Sequence, residues 1–327
     1  MKYCIITFGC QMNEADSERI AASLEKNGYQ PASKENEADL IVVNMCSVRQ
    51  SAVDRVYGVA RKFKALPASR QVKIVLTGCI LKKDKIRFQK IFDEIWPSSA
   101  KDSAGKEKPS KFIPISSGCN NNCSYCAVPL TRGRLICRPD KEILTKVKKA
   151  VKNKIKEVWL LGQNVNDYRF GEINFSKLLR MVNDIPGDFK IRFMSPHPAC
   201  FTDELIETMA KCRKVARYLN LPVQSGDNRI LKAMNRPYTV FQYKNLVKKI
   251  KKRMPDINLS TDIIVGFPGE TKKQFENTVK LFKELKFNIA YISKYSPRSG
   301  TAAFKLEDSI PIKEKKRRWK ILNSLLS

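Results

Sequence analysis

Three cysteines in the segment Gly118-Cys119-Asn120-Asn121-Asn122-Cys123-Ser124-Tyr125-Cys126 stand at C-x3-C-x2-C spacing, directly after the short apolar run Phe112 to Ile115. Thiolates are soft ligands, so such a group favours iron–sulfur clusters or zinc over magnesium or calcium. Three thiolates bind three irons of a 4Fe–4S cube and leave the fourth iron open for chemistry, much as a catalytic zinc keeps one position free. The cysteines alone also admit a zinc site, with a fourth ligand from Cys137 or from His197, the only histidine of the chain.

Another set of cysteines follows the strand-like runs at the N-terminus. Apolar runs at Tyr3–Phe8, Leu40–Asn44 and Val72–Thr77 alternate with helix-patterned segments. That alternation predicts a Rossmann-like domain over residues 1–97, a parallel sheet with crossover helices. Cys10, Cys46 and Cys79 each follow one of these runs, 36 and 33 residues apart. Ligands bind outside the carboxyl ends of strands in open α/β sheets, and adjacent strands lie about 4.8 Å apart. Three such strand ends can therefore bring their loops into one site. A single buried cysteine is more often just a small hydrophobe. Three at equivalent positions of three repeating units predict a second three-thiolate site.

The segment 98–111 is rich in Ser, Ala, Gly, Lys and Pro and reads as an interdomain linker. From residue 112 to 327 the alternation resumes. Strand-like runs fall at Phe112–Ile115, Glu157–Leu161, Lys190–Met194, Tyr218–Val223, Leu259–Val265 and Ala290–Tyr295. Six βα units suit an incomplete, six-stranded α/β barrel, whose site sits at the carboxyl ends of the strands. The loops there are Gly162–Asn166, Ser195–Pro198, Gln224–Gly226, Gly266–Glu270 and Ser296–Arg298.

The bulk numbers limit the partners. The 327 residues are 43% hydrophobic, enough for two domains with their own cores. No run of about 18 apolar residues argues for a membrane span. The start moves at once into a strand-like run rather than a signal peptide. Ten cysteines in such a chain point to a reducing compartment and metal chemistry, hence to the cytoplasm. Sixty-two Lys+Arg against 32 Asp+Glu give a formal charge of +30, which makes nucleic acid the natural partner. The lysines also spread along the polar faces of helix-patterned stretches, as mere solvation would have them.

The C-x3-C-x2-C loop, with Tyr125 before its third cysteine, resembles the signature of the radical S-adenosylmethionine (SAM) superfamily. Gly9-Cys10-Gln11-Met12-Asn13 with Asp16-Ser17, Asn44-Met45-Cys46-Ser47-Val48 and Thr77-Gly78-Cys79 resemble three motifs of its methylthiotransferases. Leu161–Asn166, Leu221–Gly226 and Tyr295–Arg298 look like the MiaB-type tRNA methylthiotransferases, a resemblance that spans nearly the whole chain. It implies two 4Fe–4S clusters, one on Cys119, Cys123 and Cys126 that binds SAM, and an auxiliary one on Cys10, Cys46 and Cys79. It also implies SAM contacts from Gln163 and from Val265, Gly266 and Glu270 near the adenine.

The implied reaction is methylthiolation of C2 of an N6-isopentenylated adenosine beside the anticodon, on a tRNA anticodon stem-loop. An electron donor such as a flavodoxin or ferredoxin and a monomeric state go with it. Two alternatives stay open within the chemistry: threonylcarbamoyl-adenosine in tRNA, or a ribosomal protein. A non-catalytic, zinc-bearing RNA-binding protein is the alternative of another class. Two departures from the family pattern stand out. Leu135-Ile136-Cys137-Arg138-Pro139 replaces the family's usual polar stretch after Thr131-Arg132-Gly133-Arg134. The expected C-terminal TRAM barrel has no counterpart before Ser327.

Overall fold

The computed structural model describes residues 1–48, 50–67, 72–97 and 111–326. The N-terminal sheet holds β1 (Lys2–Phe8), β2 (Gln30–Pro31), β3 (Leu40–Cys46), β4 (Lys73–Cys79) and β5 (Glu94–Ile95). They are parallel and lie in the order β2-β1-β3-β4-β5. Helices α1 (Gln11–Lys26), α2 (Gln50–Lys64) and α3 (Lys82–Phe88) cross between the strands.

The central strand β3 explains the unbroken apolar run read at Leu40. Its side chains alternate between faces and both faces are covered. Ile41, Val43 and Met45 pack with Val53, Val56 and Phe63 of α2, while Leu40 and Val42 pack with Ile20 and Leu24 of α1. The one polar residue, Asn44, falls on the α1 side and is fully buried there.

The linker expected at 98–111 lies, apart from Lys111, outside the described residues. Six strands follow: β6 (Phe112–Pro114), β7 (Glu157–Leu161), β8 (Lys190–Phe193), β9 (Tyr218–Asn220), β10 (Asn258–Val265) and β11 (Ile289–Lys294). They pair in parallel as two triples, β6-β7-β8 and β9-β10-β11. The seam is closed just before β9, where Ile191 bridges to Val215, with Ile191 N–H to Lys214 O at 2.8 Å and Ala216 N–H to Ile191 O at 2.9 Å. The result is a parallel arc in chain order, the expected partial barrel. Strand β9 stops short of the expected Val223 because Pro222 has no N–H for the ladder.

The outer helices are α4 (Val128–Arg132), α5 (Asp140–Lys152), α6 (Phe175–Asn183), α7 (Asp203–Lys211), α8 (Asn228–Ala233), α9 (Val240–Arg253), α10 (Lys272–Leu285) and α11 (Ile312–Asn323). Thr202, Asp227, Thr239 and Thr271 cap four of them with side-chain oxygens, satisfying N–H groups the helix leaves free. Helix α1 also packs against the barrel. Met12 and Ala15 meet Leu161 at the end of β7, with Cys10, Phe112, Trp159 and Met194 around them.

Candidate active site where two sets of strand ends meet

The cysteines of the N-terminal domain sit at the carboxyl ends of its strands. Cys10 is the N-cap residue of α1, and Cys46 and Cys79 end β3 and β4 as direct partners in the parallel register. Gly78 precedes Cys79 with φ +108°, and a Cβ there would stand 2.2 Å from Met45 O. Only glycine fits. A buried network ties the loops together: Asn13 Nδ2 donates to Asn44 Oδ1 at 3.0 Å and Met45 O at 3.1 Å, and Asn44 Nδ2 returns a bond to Asn13 O at 2.8 Å. Asn13 Oδ1 accepts from Cys10 N–H at 3.3 Å and lies 3.6 Å from Cys10 Sγ. The hydrogen bond between Cys46 and Cys79 holds the Cys46 thiol down and pushes Cys79 up, with burial adding to the rise at Cys79.

The barrel supplies the other triplet. Gly118 has φ +81°, with Arg134 O only 2.1 Å from where a Cβ would stand. Its N–H donates to Gln163 Oε1 at 2.6 Å. Three donors point at sulfur: Asn121 N–H to Cys119 at 3.4 Å, Val128 N–H to Cys126 at 3.5 Å and Arg236 Nη1 to Cys123 at 3.5 Å. Burial pushes the Cys119 thiol up, and the Cys126 thiol up to about 12. Metal binding at such thiols therefore releases protons. Ser124 pins the loop, donating from N to Met234 O at 3.0 Å and from Oγ to Ala233 O at 2.8 Å. Tyr125 packs among Ile230, Met234, Phe267, Tyr295 and Ala303.

The other expected SAM contacts have partners of their own. Gln163 Oε1 is committed to Gly118. Val265 ends β10 and is buried. Gly266 N–H donates to Glu270 Oε2 at 2.7 Å, and the same oxygen accepts from Arg318 Nη1 at 2.7 Å. Glu270 thus closes the turn after β10 and ties α11 to the barrel.

The chain's residues fit the implied groups. Among the described residues no three His, Cys, Asp or Glu side chains gather as a group that could hold a metal ion. In a cube each thiolate takes its own iron, so three sulfurs on one loop need not meet at a point. Amide and guanidinium donors aimed at sulfur are the outer-shell contacts that tune such clusters. Ser116 Oγ, Asn121 Nδ2, Asn164 Oδ1 and His197 Nε2 are buried without a hydrogen-bond partner. They follow β6, β7 and β8, adjacent strands of the arc. An unsatisfied buried polar group costs about 1–3 kcal/mol, and a polar ligand such as SAM would relieve it. Burial and the nearby Arg236 push His197 down to about 3, so it is neutral.

Two arginines were not singled out as site residues in the sequence. Arg236 follows α8 and reaches Cys123. Arg132 closes α4, just after the barrel's third cysteine, yet its Nε donates to Cys79 Sγ of the other domain at 2.8 Å. Its Nη2 donates to Asp16 Oδ2 at 2.7 Å. Arg298, after β11, donates to Gln50 Oε1 at 2.9 Å. With the packing of Cys10 beside Leu161 and Met194, these contacts turn the two sets of carboxyl ends toward each other. The signal for Arg132 was its place in Thr131–Arg134 beside the cysteines, but no local pattern names a partner 53 residues earlier.

A parallel arc with a three-cysteine loop after its first strand defines a radical SAM enzyme, and the radical SAM superfamily model matches residues 113–282. Residues 2–96 match the model described as uncharacterized protein family UPF0004. The chain is 40% identical to the tRNA-2-methylthio-N(6)-dimethylallyladenosine synthase of Clostridium novyi (strain NT), over 95% of this chain and 77% of that protein. It is 37% identical to the protein of that name from Neisseria meningitidis serogroup A, over 99% and 83%. The chain belongs to the family of radical SAM tRNA methylthiotransferases, enzymes that use SAM and 4Fe–4S clusters. Among solved structures, the radical SAM methyltransferase TsrM from Kitasatospora setae superposes with a TM-score of 0.64 at 14% identity, over 93% of this chain and 75% of that one. At that identity the likeness concerns the fold.

Proposed function

We propose that this protein methylthiolates C2 of N6-dimethylallyladenosine beside the anticodon of tRNA. The observation that carries the reading is the meeting of two three-cysteine loops at facing strand ends, one loop of the radical SAM type. The names of relatives at 37–40% identity supply the substrate. C2 of adenine is an unactivated C–H carbon, and SAM bound at an open iron supplies the radical chemistry such a carbon needs. Cys119, Cys123 and Cys126 would hold one cluster and Cys10, Cys46 and Cys79 the other. Residues 1–97 and 112–327 act as two domains that exclude water from the space between their strand ends. Ser116, Asn164 and neutral His197 offer polar contacts to the bound SAM, and Gly118 and Gln163 hold the cysteine loop in place. The charge of +30 favours the anticodon stem-loop, whose bases can be splayed out of a single-stranded loop. The enzyme works as a cytoplasmic monomer, fed by a small reduced electron carrier such as a flavodoxin or ferredoxin.

The two sites are separable by mutation. Anaerobically reconstituted protein should carry about eight irons, four per cube. Cys123→Ala should abolish reductive SAM cleavage. Cys46→Ala should retain cleavage while losing methylthiolated nucleoside, measured by mass spectrometry of digested tRNA. Methylthio product at the parent rate from well-folded Cys46→Ala would overturn the auxiliary assignment. Product on threonylcarbamoyl-adenosine instead would move the substrate and leave the chemistry.

A further inference from the structure

Arg132 belongs to the barrel, but its contacts are with the other domain. It lies six residues after Cys126, at the end of the five-residue helix α4, which at 1.5 Å per residue is about 8 Å long. From there it donates to Cys79 Sγ at 2.8 Å and to Asp16 Oδ2 at 2.7 Å. The Arg132 side chain is 6% exposed and that of Asp16 is 4% exposed. Asp16 also pairs with Arg19. Two cations therefore flank one carboxylate, and the guanidinium directed at sulfur is not neutralised by Asp16 alone. Cys79 touches Cys46, so this is the one printed side-chain bond from the barrel to a cysteine of the N-terminal triplet.

A cysteine-ligated cluster gains negative charge when it takes up an electron. Hydrogen bonds to its sulfurs and cations nearby stabilise the reduced form, more so where water is excluded. A guanidinium keeps its charge at any working pH and holds its donors in a fixed fork. We propose that Arg132 is a positioning residue for the auxiliary cluster: it clamps Cys79 to the radical SAM domain and raises that cluster's reduction potential. The inference rests on Cys10, Cys46 and Cys79 being cluster ligands. It adds that the potential of one domain's cluster is set by a residue of the other, attached just past the other cluster's last ligand.

The test uses the full chain, reconstituted anaerobically, with Cys119, Cys123 and Cys126 replaced by Ala so that only the auxiliary cluster remains. The sample is titrated with dithionite in the presence of mediators, and the one-electron reduced cluster is followed by electron paramagnetic resonance. Arg132→Gln should retain iron and shift the midpoint negative. At a fixed potential the reduced-to-oxidised ratio should fall about tenfold, which is about 59 mV for one electron. Arg132→Lys, which keeps the charge but not the fork, should fall between. If Arg132→Gln loses its iron while Arg132→Lys keeps it, the clamp is supported through the charge. An unchanged midpoint at unchanged iron overturns the inference and leaves the auxiliary site standing, as does loss of iron in both variants. No reducible cluster in the background protein overturns both.

Discussion

Arg318 and Glu270 form an ion pair almost without solvent, their side chains 5% and 1% exposed. Burial pushes the Glu270 carboxyl up, and the Gly266 N–H and Arg318 hold against that rise. Removing one partner leaves the other charge buried and alone, which typically costs about 3–5 kcal/mol. Arg318→Met is therefore expected to lower the free energy of unfolding in urea by that order. Adding Glu270→Gln to it should recover part of the loss, and a double variant no more stable than the single would argue against the pair. Glu270 was legible as part of a motif; its partner was not. Arg318 lies in Lys315-Lys316-Arg317-Arg318, which reads as one more solvated basic face. The fold picks out Lys315 and Arg318, 3% and 4% exposed, and leaves Lys316 and Arg317 in water. Periodicity can say that one face of α11 turns inward. It cannot say that a buried carboxylate waits there.

At the scale of elements, two glycines make opposite predictions. Gly78 bends β4 just before Cys79 at φ +108°, with no room for a Cβ. Gly78→Ala must shift backbone against backbone, so a loss of several kcal/mol, roughly 3 or more, is expected, with a matching loss of iron at the auxiliary site. Gly58, inside α2, has nothing within 4 Å of a would-be Cβ. Alanine there should stabilise by about 0.5–1 kcal/mol, since glycine in a helix costs conformational entropy. Thermal melts and iron assays of both variants check the pair of signs, and equal effects would defeat the argument. The strands themselves were legible because β1, β3 and β4 are buried runs bounded by polar segments. Their glycine–cysteine ends were legible as repeats. The role of α4 was not, because five residues carry no periodicity and their importance lies in what Arg132 reaches.

For the whole molecule, composition announced a basic, two-domain protein, and the chain order of the strands announced both sheets. The mutual orientation of the domains had no local sign. It comes from side chains whose partners lie far along the chain: Arg132 on Cys79 and Asp16, Arg298 on Gln50, Met12 on Leu161. The formal charge of +30 therefore mixes two populations. Most lysines solvate helix faces and are free to meet phosphate, whereas Arg132, Arg236, Arg318 and Lys315 are spent inside. Counting charges overstates the surface available to RNA by that inner group. The buried polar atoms after β6, β7 and β8 mark where the folded chain is incomplete by itself, and the sequence showed those loops without showing their unfilled bonds.

Cys46 and Cys79 are register partners on adjacent strands, a spacing of about 4.8 Å between backbones. Two cysteines whose Cα atoms lie about 4.4–6.8 Å apart are within reach of a disulfide. Dioxygen could take their two protons and two electrons and leave such a crosslink, and Arg132 would then face a sulfur that no longer binds iron. Air and iron thus compete for the same thiols, and the first to arrive decides whether the protein is an enzyme. Cluster-free protein left in air should lose two of its ten free thiols first, take up only about half its iron on reconstitution, and regain the rest after treatment with a dithiol. Thiol counts that stay at ten while iron uptake falls would place the damage elsewhere.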